Sequence, residues 1–400
     1  MAATGPLAGV RVIDLSIWVQ GPIAATLLAD LGADVIKVEN ANGGDFSRNI
    51  VGLCGVDLRR EGLPNLLWAT CNRNKRTVSL DLHKESALPV FSTLVQGADV
   101  FVTNLHPGSL VELHADEAAI RLMNPRIVYA RAAGLGDTGP RANDPCQDTV
   151  GMAYGGFMMT CGNEQGTPYY PPGAMNDVLS GSMLGMGILA ALRQRDQTGE
   201  GQYVCSSQLQ SIMWMQSLNF GVAANLGESF GISDREQPGS PLVNTYCCGD
   251  GRWIALGLIL STHWPVFCEA VGLQHLASDE RFESFGNMLR NAVPLRGLLD
   301  EHFATAPAAH WLDRMRARGL WVSPVNSIAD LVDDDQVRAN GYVATLDDGW
   351  RAAAMPFSLR GHQPDTRQSP EYGAHTEEIL REAGLDDEAI LALRLDGAVW

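Results

Sequence analysis

The first forty residues contain the pattern that most restricts the fold: two short apolar runs joined by a helical segment. Val10–Leu15 has the composition of a β-strand, Gly21-Pro22 places proline in a first helical turn, and Ile23–Leu31 supplies an apolar helical face. Ala33–Val38 is the next strand-like run. This order predicts a βαβ unit, which implies a parallel sheet with a right-handed crossover.

The same alternation continues over the next hundred residues. Strand-like runs at Thr77–Leu82, Val100–Thr103 and Ile127–Ala130 are separated by helical stretches at Ala87–Val95 and Glu112–Met123. An alternation of this kind is typical of an α/β fold with a parallel sheet. The large domain is therefore predicted to be Rossmann-like in outline.

The middle of the chain has a different pattern. Tyr246–Leu256 predicts a β-hairpin through an Asp-Gly turn. A chain of 400 residues is also longer than one ordinary domain requires. We therefore expect a large domain formed by residues 1–223 and 329–400 and a smaller α+β domain formed by residues 224–328.

Composition and charge exclude several classes of function. The formal net charge of −17, from 29 Lys+Arg and 46 Asp+Glu, opposes binding to nucleic acid. The longest apolar stretches, such as Met183–Leu192, are shorter than the roughly 18 residues that span a bilayer, and the amino end lacks a secretory signal. The eight cysteines have no paired metal-ligand spacing. We expect a cytoplasmic protein with reduced thiols and with no metal, nucleic acid or membrane partner.

The common catalytic and nucleotide-binding motifs do not occur in the sequence. The first strand-to-helix turn, Ser16–Pro22, lacks the G-x-G-x-x-G pattern that lets the backbone approach a dinucleotide. The P-loop, H-E-x-x-H and G-x-S-x-G motifs are missing as well. A nicotinamide- or flavin-dependent oxidoreductase is therefore disfavoured, and the motifs alone indicate only an α/β protein of enzyme size.

Nearly the whole chain carries a set of short segments in a fixed order. They are Pro6–Leu15, Gly21-Pro22, Leu27–Glu39, Gly44-Asp45, Arg48, Asn74–Leu82, Ala98–Val100, Asn104, Pro107-Gly108, Asn124–Arg126, Thr198–Gln202 and Gly373–Thr376. This ordered set resembles the family III CoA-transferases, which include formyl-CoA and carnitine CoA-transferases and the related 2-methylacyl-CoA racemases. The resemblance implies a large Rossmann-like domain built from both chain ends, a smaller middle domain, and two ring-like subunits interlocked as a homodimer.

The resemblance also implies a nucleophile. In this family it is an aspartate that opens a helix, and Asp177 within Gly173–Gly181 holds that position. Such a carboxylate attacks an acyl-CoA thioester to give a mixed anhydride, then forms an aspartyl-CoA thioester, from which CoA passes to a carboxylic acid. A helix start favours an ionised carboxylate by roughly 0.3–1 kcal/mol, so we expect Asp177 to be charged at neutral pH. The alternative interpretation is that Asp177 only caps its helix.

Coenzyme A is expected as the acyl-CoA substrate, without metal, nicotinamide or flavin. Asn40, His83 and Glu112 stand where arginine is usual in the family, so three expected cations are missing or weakened. The best local supply of positive charge for the phosphates is Arg48, Arg73, Lys75, Arg76 and Lys84. The residues that the resemblance assigns to CoA binding are Val19, Gln20, Asn40, Lys75, Leu80, His83, Asn104 and Leu105.

The remaining candidate residues concern the oxyanion and the reaction type. Backbone amides near Gly21, Gly134 or Gly136, with the side-chain amide of Gln20, are candidate oxyanion donors. Gln147 stands where the racemase branch has its catalytic histidine, and glutamine is neither an acid nor a base. Transfer of CoA to a carboxylic acid is therefore favoured. A 2-methylacyl-CoA racemase or epimerase, and a relative that binds a thioester or partner without catalysis, remain the alternatives.

Overall fold

The computed structural model describes residues 5–59, 61–163 and 166–400, and the chain forms two compact units. Unit 1 comprises the residues up to Cys161, Tyr169–Phe230 and Gly341–Trp400. Unit 2 comprises Gly162–Pro168 and Gly231–Asn340. The sequence led us to expect boundaries at 223/224 and 328/329, and the assignment of separate functional domains stays a prediction.

The strands of the described residues form one large sheet in unit 1, one small sheet in unit 2 and two short hairpins. In chain order they are β1 Arg11–Leu15, β2 Asp34–Glu39, β3 Gly52–Leu53, β4 Val56–Asp57, β5 Arg76–Ser79, β6 Val100–Thr103, β7 Val128–Ala133, β8 Tyr203–Ser207, β9 Val243–Cys247, β10 Trp253–Gly257, β11 Val322–Pro324, β12 Val343–Thr345 and β13 Arg351–Ala353.

The large sheet has the strand order β5-β2-β1-β6-β7-β8, and every neighbouring pair is parallel. The direction in which successive strands are added reverses between β1 and β6. In open parallel sheets, ligands bind in the crevice outside the carboxyl ends of the strands at such a reversal. The prediction of an α/β fold with a parallel central sheet is confirmed, whereas the interlocked dimer stays a prediction.

Helices cover the described residues between and after these strands. In chain order they are α1 Gln20–Asp30, α2 Leu66–Asn72, α3 Leu88–Gln96, α4 Pro107–Glu112, α5 Glu117–Met123, α6 Asp148–Tyr154, α7 Met175–Thr198, α8 Gln208–Met215, α9 Ser217–Leu226, α10 His263–Val271, α11 Gln274–Ala277, α12 Phe285–Arg290, α13 Ala292–Phe303, α14 Ala308–Arg316, α15 Ile328–Val332, α16 Asp335–Ala339, α17 Thr376–Glu382 and α18 Asp387–Asp396. Single 3₁₀ turns occur at Phe46–Arg48, Glu85–Ala87 and Phe157–Met159.

Helices cover both faces of the large sheet. Because side chains alternate between the two faces along each strand, each strand contributes to two separate cores. On β1, Val12 points into the core formed with α1 and α7, whereas Ile13 points into the core formed with α3, α5, α17 and α18. Unit 2 has a core of its own, in which the hairpin of β9 and β10 packs with α10, α13 and α14. The hairpin predicted at Tyr246–Leu256 is confirmed.

Two helical predictions need correction. The stretch Glu112–Met123 is two helices, because His114 adopts a left-handed backbone conformation (φ 53°) and Asp116 caps a new helix by accepting from the amides of Ala118 and Ala119. The pair His375-Thr376 also predicts a capping signal for a helix near Glu377–Ala383. The helix is present as α17, but neither side chain caps it. The His375 Nδ1 and Thr376 Oγ1 atoms accept hydrogen bonds from strand β5 rather than from α17.

Helix α7 is the long helix that positions the candidate nucleophile. It has 24 residues, packs on α1 and β8, and lies so close to α1 that a Cβ on Gly181 would be 2.4 Å from the Gln20 carbonyl oxygen. With 24 residues and a mean hydropathy of 1.3 over 18 of them, it is also long and apolar enough to cross a membrane. In this fold, 44% of that 18-residue window is buried. The uninterrupted apolar stretch Met183–Leu192 is much shorter than this helix, so it does not reveal the helix's length and mean hydropathy. Core helices that are mostly buried meet the same criterion of length and composition.

Candidate active site

A cavity of about 480 Å³ lies in unit 1 at the carboxyl ends of the central strands, and we call it the inner cavity. Its walls include the segment Ile17–Gln20 after β1, Asn104 after β6 and Gly134 after β7. The first turns of three helices complete it with Asp148 of α6, Asp177 of α7 and Gln208 of α8. Its position is the one that the reversal of strand order between β1 and β6 predicts.

The side chain of Asp177 is not the cap of its helix. Asp148, which precedes it by 29 residues, accepts hydrogen bonds from the backbone amides of Asn176 (2.7 Å) and Asp177 (2.9 Å) through Oδ1. The residue before the helix, Ala174, has a left-handed backbone (φ 54°) and provides no side-chain cap. Asp148 therefore performs the capping role that was the alternative interpretation of Asp177.

The carboxyl group of Asp177 lies in an environment that disfavours its charge. Burial raises its pKa from the ordinary 3.8 to about 7, with a further contribution from Asp148, while the hydrogen bond from Gln208 acts in the opposite direction. The expectation that the helix start keeps Asp177 fully charged at neutral pH was therefore wrong. The helix N-terminus is outweighed by burial and by the neighbouring carboxylate.

Asp148 is held in place from two sides. Its Oδ2 atom accepts a hydrogen bond from the Tyr170 hydroxyl at 2.8 Å, its Oδ1 accepts the two helix amides, and the residue is only 3% exposed. All of these interactions treat Asp148 as an acceptor, which suits a carboxylate. Asp148 is buried and Asp177 is half-buried, and both carboxyl groups line the inner cavity near the start of α7.

Gln208 orients one oxygen of the candidate nucleophile, Asp177. Its Nε2 atom donates to Asp177 Oδ1, and its Oε1 atom accepts from the Cys146 thiol with an Sγ–Oε1 distance of 3.2 Å. Burial raises the pKa of Cys146 to about 11, with Asp177 and Asp148 adding to the shift, so this residue is a thiol at neutral pH. The thiol donor and the Asp177 acceptor together fix which way the Gln208 amide points.

The predicted oxyanion residues have mixed outcomes. Gly134 lines the inner cavity, and a Cβ there would lie 2.3 Å from Cys146 Cβ. Gly21 is the second residue of α1, where a Cβ would lie 2.5 Å from Ser16 Cβ. Gln20 lines the cavity, but its Nε2 atom donates to the carbonyls of Ala133 (3.1 Å) and Ser206 (3.4 Å). Its side-chain amide is therefore engaged with backbone and is not an oxyanion donor in this arrangement.

Two further candidates occupy different places. Gln147 lines the inner cavity and caps α6, with its Oε1 atom accepting from the amide of Thr149 at 3.0 Å. Gly136 has a backbone φ of 120° and is not among the described residues that line this cavity. The structure thus brings Gln147 beside Asp177 in one cavity and leaves Gly136 out of it.

The predicted CoA-binding residues fall into two neighbouring cavities. A second cavity of about 780 Å³, the outer cavity, is also bordered by Ile17. Val19, Gln20 and Asn104 line the inner cavity. The predicted residues that line the outer cavity are Asn40, Leu80, His83 and Leu105.

Lys75 is the predicted CoA contact that the structure places elsewhere. Its side chain is fully buried, and Nζ contacts Asp14 Oδ2 (2.8 Å), the Pro22 carbonyl oxygen (2.9 Å) and Asn72 Oδ1 (2.9 Å). An ammonium group with three internal acceptors has no face left for a phosphate. Lys75 is therefore not a CoA contact in this arrangement.

The arginines expected to supply positive charge are likewise paired inside unit 1. Arg48 binds Glu39 at 2.7 Å, Arg73 binds Asp30 at 2.6 Å, and Arg76 binds Asp34 together with two glutamates of α17. The Glu39 partner of Arg48 is 9 residues away, whereas Asp30 is 43 residues from Arg73 and Asp34 is 42 residues from Arg76, so the latter two pairs depend on the folded chain. Most of the cations that the sequence predicted for the phosphates of CoA are therefore already paired with carboxylates of the protein.

The outer cavity is acidic as a result. Its charged lining residues are Lys37 and four carboxylates, and the Lys37 side chain is fully buried and paired with Asp45 at 3.0 Å. His83 is the exposed group that can add positive charge, and its Nδ1 atom lies 2.9 Å from Asp81 Oδ1. Among the described residues, no group of three or more His, Cys, Asp or Glu side chains is placed to hold a metal ion. The four carboxylates are Glu39, Asp45, Asp81 and Glu112.

Asp148 and Gln208 are the functional candidates that the sequence reasoning missed. An aspartate that follows a proline by three residues is a recognisable helix start, but nothing local shows that it caps a second helix or faces Asp177. Gln208 follows β8 and contacts Asp177 across 31 residues of chain. Both contacts depend on how α6, α7 and α8 meet at the sheet.

Comparisons with known proteins agree with this architecture. The family model of CoA-transferase family III matches residues 7–376. The chain is 32% identical to the succinyl-CoA–L-malate CoA-transferase beta subunit of Chloroflexus aurantiacus, covering 98% of this chain and 97% of that protein. It is 29% identical to the (R)-2-hydroxy-4-methylpentanoate CoA-transferase of Clostridioides difficile, covering 96% and 97%. The crystal structure of a CAIB/BAIF family protein from Brucella suis superposes with a TM-score of 0.85 at 27% identity, covering 95% of this chain and 99% of that chain.

Proposed function

Because the chain belongs to CoA-transferase family III and is therefore an enzyme that transfers CoA, we propose that Asp177 carries the transferred group in the inner cavity. The donor is an acyl-CoA and the acceptor is a carboxylic acid. The observation that carries this proposal is the carboxyl group of Asp177, which borders a cavity at the switch point of the sheet and whose helix is capped by another residue.

The reaction proceeds through two kinds of covalent intermediate. The Asp177 carboxylate attacks the thioester carbonyl, the carbon–sulfur bond breaks, and CoA leaves as a thiolate, which gives a mixed anhydride. The thiolate then attacks the Asp177 carbonyl of the anhydride and releases the donor acid, which leaves an aspartyl-CoA thioester. The acceptor carboxylate attacks this thioester, the carbon–sulfur bond breaks, and CoA leaves as a thiolate, which gives a second mixed anhydride between the acceptor and Asp177. The thiolate then attacks the acceptor's acyl carbon of this anhydride, and the bond from that carbon to the Asp177 oxygen breaks. Acyl-CoA leaves and Asp177 is regenerated.

The surrounding side chains prepare Asp177 for the first step. The Gln208 amide holds Oδ1, so Oδ2 is the oxygen that attacks the thioester. Burial and Asp148 raise the pKa of Asp177 to about 7, which makes its carboxylate more basic than an exposed aspartate and still ionised in half of the molecules near neutral pH. The attacking oxygen thus combines raised basicity with a fixed orientation.

The two cavities divide the substrate between them. The acyl end and the thioester occupy the inner cavity beside Asp177, and the nucleotide end of CoA occupies the outer cavity beside Asn40, Leu80 and His83. Ile17 borders both cavities, and the Asn104 side chain clamps its backbone by accepting from Ile17 N (2.8 Å) and donating to Ile17 O (2.7 Å). This clamp fixes the wall along which the pantetheine arm passes.

A racemase or epimerase is the second candidate, because a carboxyl group with a pKa near 7 also suits exchange of an α-proton. That reaction needs a second acid–base group, and Gln147 stands where the histidine of the racemase branch is expected. In deuterated water without an acceptor acid, α-proton exchange would support the isomerase. The homodimer and the cytoplasmic location remain predictions.

The decisive experiment traps the covalent intermediate. The protein is incubated with an acyl-CoA and hydroxylamine, digested and analysed by mass spectrometry, with Asp177→Asn as the matched control. We expect a hydroxamate on the peptide that contains Asp177, and none in the variant. Transfer of CoA at the wild-type rate by Asp177→Asn, or a hydroxamate on another residue, would overturn the proposal. The same trap argues against a non-catalytic thioester-binding protein.

A further inference from the structure

The charged groups that line the inner cavity are all acidic. Asp148 and Asp177 are its charged lining residues, and no lysine, arginine or histidine occurs among the described residues of its wall. Cys146, with its raised pKa of about 11, is neutral at physiological pH. A second carboxylate on an entering acyl-CoA therefore meets two carboxyl groups and no cation among the described lining residues, whereas the acceptor carboxylate enters after Asp177 has become a neutral thioester.

The polar amides of the wall are largely engaged. The Asn104 side chain binds the backbone of Ile17 through both of its polar atoms, and Gln20 Nε2 donates to two backbone carbonyls. Gln208 is fixed between Asp177 and Cys146. The Gln147 side chain is engaged through Oε1 alone, so its Nε2 atom is the side-chain amide donor left for a second carboxylate among the described lining residues. One neutral donor replaces only part of the water that such a carboxylate loses on entry, and burying a charge with so few partners is strongly unfavourable.

The rest of the wall is apolar. Ile17, Val19, Ile50, Leu53 and Leu67 face the cavity, so its surface suits hydrocarbon. A volume of about 480 Å³ lies within the range of small-ligand sites, with space for a branched or short-chain acyl group next to the thioester. The volume of the cavity, its apolar lining and its acidic charge thus all favour an acyl group that is a short, uncharged hydrocarbon.

We propose that the inner cavity selects acyl groups whose only carboxyl function is the one joined to CoA and whose remainder is apolar, and that it excludes a second carboxylate. This inference rests on the proposed function and specifies its substrate class. Family membership does not decide the point, since relatives are named both for succinyl-CoA with malate and for a branched hydroxy acid. The selectivity comes from the lining of this chain.

The test compares two thioesters of nearly equal shape. In 4-methylpentanoyl-CoA, an isopropyl group replaces the distal carboxylate of succinyl-CoA, so the pair differs chiefly in charge. With acetate as acceptor, we expect kcat/KM to be on the order of 100-fold higher for 4-methylpentanoyl-CoA, because the cavity offers the carboxylate no partner. Equal values, or a preference for succinyl-CoA, would overturn the inference.

A designed cation provides the second measurement. Leu53 lies at the cavity in a short hairpin and is 37% exposed, so a polar side chain is tolerated there. We expect Leu53→Arg to raise kcat/KM for succinyl-CoA about tenfold relative to Leu53→Gln, the uncharged control, with no such gain for 4-methylpentanoyl-CoA. An equal effect of both variants on both thioesters would contradict the charge-based selection.

The hydroxylamine trap separates the two levels of the proposal. A hydroxamate at Asp177 with succinyl-CoA but not with 4-methylpentanoyl-CoA would overturn the substrate class and leave the transferase mechanism standing. Failure to form the hydroxamate with any thioester would overturn the mechanism and the substrate class together. A hydroxamate that forms faster with 4-methylpentanoyl-CoA supports both.

Discussion

Unit 1 contains two groups of buried charges that are built on opposite principles. In the first, which we call the ion-pair cluster, Asp14 binds Lys75 at 2.8 Å and Lys37 binds Asp45 at 3.0 Å, and all four side chains are at most 1% exposed. In the second, Asp148 and Asp177 share one site without a cation. The first group is neutralised internally, whereas the second keeps like charges together.

The two groups respond to burial in opposite ways. Burial alone would raise the pKa of Asp14, but Lys37 and Lys75 outweigh it and hold that pKa below its ordinary value. Burial of Asp177 has no such opposition, and Asp148 adds to it, so the pKa rises to about 7. Compensated buried charges offset much of their desolvation cost, whereas an uncompensated carboxylate is destabilising and is expected where chemistry requires it.

The largest effect should come from removing the uncompensated charge. Asp177→Asn should reduce transfer by roughly 10⁴-fold or more, because the nucleophile is lost. The same variant should be more stable above pH 7, by at most about 4 kcal/mol for the rise of the Asp177 pKa from 3.8 to about 7. Chemical unfolding from pH 3.5 to 8 measures this gain.

The control is the direction in which the stability difference between Asp177→Asn and wild type changes with pH. A raised folded pKa means that the folded chain binds the proton more tightly than the unfolded chain, so the contribution of Asp177 to stability falls as pH rises from 3.8 to about 7. The advantage of Asp177→Asn should therefore vanish near pH 3.5 and grow to a plateau above pH 7. A variant that is less stable than wild type at pH 8 would contradict the comparison.

The second largest effect should come from leaving one buried charge of the ion-pair cluster without its partner. Lys75→Met leaves Asp14 buried without its nearest cation, and we expect a loss of about 3–5 kcal/mol in the free energy of unfolding. The double variant Asp14→Leu/Lys75→Met should recover most of this loss, because neither charge is left alone. Urea unfolding of the two variants tests the pair, and an equal loss in both would show that packing rather than charge is responsible.

The two groups of buried charges also show which features could be predicted from the sequence and which could not. The βαβ pattern and the apolar strands predict the parallel sheet, because the periodicity of apolar residues is local, and the ordered landmarks lead to Asp177. Lys75 was misplaced, because its partner Asp14 is 61 residues away in the chain. Asp148 and Gln208 were missed for the same reason. Charge compensation depends on three-dimensional neighbours, so the sequence could not distinguish a structural lysine from one that binds a ligand.

The third prediction changes the like-charge pair without removing the nucleophile. Asp148→Asn keeps an oxygen that can accept from the helix amides but removes the negative charge, so the pKa of Asp177 should fall towards its ordinary value. Wild-type acylation should rise with pH through about 7, because only the carboxylate attacks. In Asp148→Asn this rise should occur at lower pH.

Single-turnover acylation measured from pH 5.5 to 8.5 locates that rise in each variant. The matched control is Tyr170→Phe, which removes the hydroxyl that binds Asp148 Oδ2 but keeps both carboxylates. We expect its pH profile to stay closer to that of the wild type. If Asp148→Asn left the rise in acylation at the wild-type pH, burial alone would account for the raised pKa of Asp177.

The smallest effect is expected where charge is exposed. Glu112 is exposed and borders the outer cavity, at a position where the resemblance to the family leads us to expect arginine. If the nucleotide end of CoA binds there as proposed, water and salt should screen the interaction of Glu112 with its phosphates. Glu112→Arg should lower KM for acyl-CoA only about two- to fivefold. This gain should disappear at 0.5 M salt, and the neutral Glu112→Gln should produce about half of it. A large, salt-independent gain would mean that the outer cavity excludes water as the inner cavity does, and the contrast between the two regions would then rest on charge composition rather than burial.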